Sequence, residues 1–215
     1  MTTLGFIGAG QLGSQLARLA VFNGYKVVVS NADGPESLAG LVAGLGSNAT
    51  AATPVEAAVA GDVVVVSIPL NALASIPVDA LAGKIVIDTN DYHAERDGHV
   101  EALDTETTTV SELLQSHLPE SRVVKAFNHV PADELTTASR PAGSPERKAL
   151  IVAGHDPASR EVVASLIDVF GFDSIDIGPL EEGWRIQRDT PGHGRALDLF
   201  DLRNALASAI RYRDM

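Results

Sequence analysis

The chain has 215 residues, 45% hydrophobic and 20% charged, the make-up of an ordinary globular protein with a sizeable core. Sixteen basic against 28 acidic residues give a formal charge of −12, which argues against nucleic acid or an anionic membrane as partner. Cysteine is absent, which excludes disulfides, thiolate catalysis and cysteine-ligated metals.

No apolar run approaches the ~20 residues needed to cross a bilayer. No basic segment followed by an apolar stretch opens the sequence, so the expected compartment is the cytoplasm. In chain order, Leu4, Phe6 and Ile7 form a short apolar strand that enters Gly8-Ala9-Gly10-Gln11-Leu12-Gly13. A helical pattern (Leu12, Leu16, Leu19, Ala20) follows at once. Placed between strand and helix, this triplet is a dinucleotide-binding fingerprint. Gly8 allows the tight turn, Gly10 lacks a Cβ that would block a pyrophosphate, and Gly13 lets helix and strand pack closely. The N–H groups at the helix start then face the phosphates, and the helix dipole favours their charge.

Lys26–Ser30 reads as a second buried strand, followed by the loop Asn31-Ala32-Asp33-Gly34 and a helix opened by Pro35. A short strand is expected at 49–52. Thr53 with Pro54 and Glu56 opens the next helix, and 62–69 is the clearest buried strand, ended by its proline. Further strands are expected at 84–88 and 122–127, with a polar loop and a short helix at 91–109 and a helix at 110–118. Residues 136–147 read as a surface connection. A strand at 149–153 then leads through Asp156-Pro157 into a helix whose inner face carries Val162, Val163, Leu166, Ile167 and Phe170. Gly171 ends that helix, and 172–177 returns as a strand. From Leu180 the pattern is helical, interrupted at residues 191–194, and Leu199, Leu202, Leu206 and Ile210 stripe the last helix. Strands alternating with helices predict an α/β fold, a Rossmann-type doubly wound, mainly parallel sheet. The expected division is a dinucleotide-binding domain at 1–130 and a smaller C-terminal α/β lobe at 131–215.

Asp33 lies twenty positions after Gly13, where a carboxylate can accept hydrogen bonds from the adenosine ribose and repel a 2′-phosphate. It equally suits a turn aspartate before Gly34. Lys125 reads as a strand-end charge, and His129 either binds substrate or is structural. His93 and His99, among Asp91, Glu95 and Asp97, fit no standard ligand spacing and read as a solvated loop, so no metal is expected.

Several motifs together resemble a known family. They are Gly-Ala-Gly-Gln-Leu-Gly at 8–13, Asn-Ala-Asp-Gly-Pro-Glu-Ser-Leu at 31–38, Ser-Ile-Pro at 67–69 and Ile-Asp-Thr-Asn at 87–90. Val-Val-Lys-Ala-Phe-Asn at 123–128 and Gly-Phe-Asp…Asp-Ile-Gly-Pro-Leu at 171–180 continue the series. The family is the NADP oxidoreductases dependent on coenzyme F420, an 8-hydroxy-5-deazaflavin, with their flavin- or metal-reductase-like relatives. The resemblance implies a Rossmann domain with a small C-terminal lobe, a deazaflavin or flavin stacked on the nicotinamide of NADP or NAD, and a homodimer. It places Gly8, Ala9, Gly10, Gln11 and Leu12 on the pyrophosphate and Asn31, Ala32 and Asp33 on the ribose. Ser67, Ile68, Asn90 and Ala126 fall on the nicotinamide side. Asn128, His129 and the turn Gly178-Pro179-Leu180 fall towards the second substrate. Members that use NADP usually carry Ser-Arg in the ribose loop; Ala32-Asp33 stand here instead, without the cation that would hold a 2′-phosphate. The segment after Leu180 also departs from the family pattern.

The expected function is therefore an NAD(P)-dependent oxidoreductase passing a hydride between nicotinamide and a deazaflavin- or flavin-like ring. Such transfer needs geometry and exclusion of water rather than a side-chain acid, so no catalytic side chain is assigned. The alternatives are a dehydrogenase or imine reductase of a small metabolite, and a non-catalytic dinucleotide-binding redox sensor.

Overall fold

A computed structural model describes residues 2–211. Six parallel strands form its main sheet: β1 (Thr3–Ile7), β2 (Lys26–Ser30), β3 (Ala49–Ala51), β4 (Val63–Val66), β5 (Ile85–Asp88) and β6 (Arg122–Lys125). Their spatial order is β3-β2-β1-β4-β5-β6. The order reverses between β1 and β4, and this switch point opens a crevice at the carboxyl ends of both strands. The expected Rossmann-type sheet is thus present.

Helices α1 (Gln11–Phe22), α2 (Ala39–Leu45), α3 (Pro54–Ala60), α4 (Val78–Leu81), α5 (Ala94–Asp97), α6 (Glu101–Asp104), α7 (Val110–His117) and α8 (Glu134–Thr137) follow the strands. Alternate strand residues serve opposite faces, as the two-residue period dictates. Phe6, Val29, Val65, Ile87 and Val124 join Leu16 and Leu19 of α1 in one apolar cluster. Ile7, Val64, Val66, Val86 and Val123 meet Leu81, Leu114 and Leu118 in another. Local sequence fixes the helix starts. Thr53 with Glu56 and Thr109 with Glu112 form reciprocal capping boxes, each worth about 1 kcal/mol.

The remaining chain makes β7 (Ala149–Val152), α9 (Pro157–Val169), β8 (Asp173–Asp176) and α10 (Leu199–Ser208). Strands β7 and β8 pair in parallel as a second, two-stranded sheet. An antiparallel bridge, Lys125 to Ala153, ties it to the edge strand β6. The first apolar cluster also crosses from one part to the other, taking in Leu150, Val163, Ile167 and Phe170.

Three expectations about packing need correction. Val162 is 45% exposed, because the stripe at 163, 166, 167 and 170 already fills the buried face of α9. Ile210 lies beyond the end of α10 and is 58% exposed. The segment Leu180–Ile186 is a 3-10 helix, ended before the glycine-rich turn at 192–194. Among the described residues, no helix is long and apolar enough to cross a membrane.

Candidate functional site: a glycine cradle beside a polar cavity

The carboxyl ends of β1, β4 and β5 are stitched into one rim. Gly8 has φ +101°, and a Cβ there would lie 2.1 Å from the Ser67 carbonyl oxygen and 2.9 Å from Ile68 Cγ2. A Cβ on Gly13 would lie 2.3 Å from the Gly8 carbonyl oxygen, so the turn and the helix meet backbone to backbone. Gly10 differs: a Cβ there would meet nothing within 4 Å. It is the N-cap of α1 and supplies no side-chain cap. The first N–H groups of a twelve-residue helix therefore have no side-chain cap, and the space beside Gly10 is open. That is the geometry an anion such as a pyrophosphate occupies. Next along the rim, the Ile68 N–H donates to Asn90 Oδ1 at 2.9 Å, which places Asn90 beside the cradle.

The loop after β2 is an Asx turn. Asn31 Oδ1 accepts from the Asp33 N–H at 3.1 Å, and Asn31 Nδ2 donates to Ser37 Oγ at 2.8 Å. The turn is thus held by Asn31 and Ser37, while the Asp33 side chain is exposed at its tip. The turn-stabilising role open to Asp33 on sequence belongs to Asn31.

Beyond Asn90 the rim widens into a cavity of about 220 Å³ at the ends of β5 and β6. Beneath it, Asp88 is fully buried and Lys125 4% exposed, with Lys125 Nζ 3.3 Å from Asp88 Oδ2. Ser111 Oγ donates to the same carboxylate at 2.6 Å, the Asn90 N–H donates to its other oxygen at 2.9 Å, and Lys125 Nζ also donates to the Asn90 carbonyl. The strand-end charge expected at Lys125 is instead an internal ion pair under the cavity floor. On the wall, Asn128 Nδ2 donates to Asp91 Oδ1 at 2.9 Å, and Tyr92 Oη donates to Asp104 Oδ1 at 2.6 Å. That hydroxyl, helped by His99, holds the Asp104 carboxyl below its ordinary range against some desolvation. From the C-terminal part come Gly183 and 187–189, with Gln187 Nε2 donating to Glu106 and Arg188 paired to Glu95 at 2.8 Å. Among the described residues, the non-glycine positions with positive φ are Glu106 (+51°), Phe127 (+65°) and Asp189 (+68°). Two of these line the cavity and the third directly precedes Asn128, a concentration of backbone strain of the sort functional sites carry.

Several expected site residues therefore come together: Gly8, Ala9, Gly10, Gln11, Leu12, Ser67, Ile68 and Asn90 on the rim, and Asn128 on the cavity wall. Three do not. Ala126 is fully buried, its N–H given to the Asp88 carbonyl. Leu180 is fully buried in the second apolar cluster. His129 is fully buried too, and its Nε2 accepts the Ile151 N–H at 3.2 Å. Burial, then the neighbouring His193, depress its pKa to about 4, with the Gly192 backbone opposing. It is a neutral structural histidine linking β7 to the segment at 192–195. Gly178 and Pro179 form a turn, with the Gly178 N–H donating to Asp176 Oδ1, and neither lines the cavity. The C-terminal part instead reaches the cavity through Gly183 and residues 187–189. In the loop at 91–109, Asp97 accepts from Arg96 and the His93 N–H, and His99 pairs with Asp104 at 3.0 Å. Tyr92, Asp104, Glu106, Gln187, Arg188 and Asp189 were not singled out from sequence; the three left-handed positions leave no signature there because none is glycine.

Comparison with known proteins gives the same direction. The family model "NADP oxidoreductase coenzyme F420-dependent" matches residues 3–92, the cradle and the rim as far as the cavity. The F420-dependent NADP reductase of Methanocaldococcus jannaschii is 32% identical over 143 residues, covering 63% of this chain and 62% of that protein. The chain thus aligns with less than two thirds of that reductase's length. A solved structure of a hypothetical protein from Sinorhizobium meliloti superposes with a TM-score of 0.77 at 28% identity, covering 92% of this chain and 95% of the other. Another, from Arthrobacter and provisionally named an F420-dependent NADP reductase, gives 0.71 at 24% identity over 85% of this chain and 87% of its own. The resemblance read from the ordered motifs is found again by these independent comparisons.

Proposed function

We propose that the chain is an NAD(P)-dependent oxidoreductase that passes a hydride between a nicotinamide dinucleotide and a deazaflavin- or flavin-like ring. The single observation that carries this reading is the cradle: a closed turn at Gly8 and Gly13, an open one at Gly10, and an uncapped helix start behind it. The dinucleotide, when bound, supplies the reactive nicotinamide ring. The chain's own part is to hold and orient. Backbone N–H groups at 9–12 take the pyrophosphate, Asn31 to Asp33 face the ribose, and Ser67, Ile68 and Asn90 line the nicotinamide side. Asn128 and the cavity stand where the second substrate arrives. The buried Asp88–Lys125 pair fixes the Asn90 backbone from below, so that the rim keeps its geometry when the ring is seated. No side chain needs to move a proton for hydride passage between stacked rings.

The loop at 31–38 carries no lysine or arginine, and Asp33 lies at its tip. NADH is therefore accepted at least as well as NADPH, although the relatives' names specify NADP. The protein works in the cytoplasm as a homodimer, an assembly that would cover such exposed rings as Phe22 (85%) and Phe200 (74%). Mixing the protein with NADH or NADPH and oxidised coenzyme F420, and following nicotinamide and deazaflavin absorbance, tests the assignment. Turnover with either nucleotide supports it. Tight nucleotide binding without hydride transfer to any acceptor would mark a binding module instead.

A further inference from the structure

The stretch of cavity wall at 183–189 is fastened by a residue from beyond the last helix. Trp184, the chain's single tryptophan, is 8% exposed and directly follows Gly183, which lines the cavity. Two guanidinium groups lie over its ring, Arg185 Cζ at 4.6 Å and Arg211 Cζ at 4.8 Å from the centroid. Both are within cation–π reach. Arg185 is tied to its own surroundings, with Nε paired to Glu182 at 2.7 Å and Nη1 donating to the Leu206 carbonyl at 3.2 Å. Arg211, just past the end of α10, reaches across to the other part of the molecule instead. Its Nη1 donates to the Glu106 carbonyl at 3.5 Å, in the part of the wall that precedes α7.

Glu106 is where that reach matters. It lines the cavity, is 5% exposed and has φ +51°. A non-glycine residue in this region is strained and stays there only where its surroundings over-determine it. Two of the groups that hold it come from the C-terminal part, Arg211 on its carbonyl and Gln187 Nε2 on its carboxylate. Elsewhere on the same seam, the Thr109 hydroxyl donates to the Leu180 carbonyl at 3.5 Å. The Arg188–Glu95 pair also crosses it, but both side chains are well exposed, so solvent screens that link.

We propose that Arg211 is a positioning residue for the cavity. By stacking on Trp184 and holding the Glu106 carbonyl, it closes the seam between the loop at 91–109 and the 3-10 segment. It thereby sets how tightly the second substrate is gripped. What the cavity receives rests on the proposed function; that Arg211 closes it does not. A cavity that is closed only part of the time binds with an affinity reduced by that fraction. Loss of the latch therefore appears in KM for the second substrate and leaves the backbone cradle alone.

The chain has no cysteine, so Val110→Cys places a single thiol on the cavity lining. Adding Arg211→Ala should make iodoacetamide label that thiol about fivefold faster, with thermal unfolding little changed. The fivefold is the size of one exposed cation–π contact. Emission from Trp184 should move to longer wavelength as its ring meets water. Arg211→Lys, which keeps a cation for the indole, should recover part of both effects. With NADH and oxidised coenzyme F420, Arg211→Ala alone should raise KM for the deazaflavin about fivefold and leave kcat and NADH affinity within twofold. Equal labelling rates with and without Arg211, or KM, kcat and NADH affinity worsening together, would overturn the proposal. Faster labelling in Arg211→Ala, with no turnover even in the wild-type protein, would count against the hydride acceptor alone.

Discussion

The two halves of the site are built by opposite means. The cradle is made of backbone: Gly8 and Gly13 bring carbonyl groups and helix to within a distance that no Cβ permits, and Gly10 leaves a space. The cavity is made of side chains, most of them polar or charged, delivered from five segments between residues 90 and 189. A backbone site binds what every dinucleotide has in common. A side-chain site can be redrawn residue by residue wherever its groups do not hold the buried floor. The difference teaches where generality and specificity sit in this molecule, and four changes probe it.

The largest expected effect is under the cavity floor. Lys125→Met leaves the buried Asp88 carboxylate without its cation and should destabilise the protein by about 3–5 kcal/mol in urea unfolding. A loss below about 0.5 kcal/mol would mean that Lys125 behaves as the solvated strand-end charge its position in sequence suggests.

Next comes His129, which the fold has taken out of the site. Its folded pKa of about 4 lies below the ordinary 6.5, so the unfolded chain binds the extra proton between these values. Its contribution is fully present above pH 6.5 and lost as pH falls towards 4, by about 3 kcal/mol. Urea midpoints should fall between pH 6.5 and 5, before most carboxylates titrate, and His129→Gln should flatten that limb. An unchanged limb would place the histidine in contact with water, and so back within reach of the cavity.

A smaller effect belongs to the cradle's outer edge. With Asp33 at the tip of the Asx turn, Asp33→Ser should raise NADPH affinity relative to NADH about tenfold, the part of a ~4 kcal/mol charge repulsion that survives screening. An unchanged ratio would turn that carboxylate away from the ribose.

The comparison also explains what could be read in advance. The strand positions, the capping box at Thr53 and the fingerprint turn follow from local rules, because period, cap chemistry and glycine are all written within a few adjacent residues. Asn90 and Asn128 were legible through family motifs. Glu106 and Gln187 were not, since their hydrogen bond joins residues 81 apart and both lie in weakly patterned polar stretches. His129, open on sequence between a substrate and a structural role, and Leu180, set near the second substrate by the family resemblance alone, are both buried, by the second sheet and the 3-10 segment. Val162 and Ile210 show the ordinary limit of helical stripes, which mark a face more reliably than its margins or the helix end.

The central claim is that an open backbone cradle binds a dinucleotide, and Gly10 tests it most directly. Gly10→Val should leave thermal unfolding of the free protein nearly unchanged, since its Cβ meets nothing within 4 Å. NADH or NADPH at one hundred times its dissociation constant should stabilise the wild-type protein by about 2.7 kcal/mol and leave the variant unmoved at the same concentration. Stabilisation of both proteins alike, or of neither, would contradict the account.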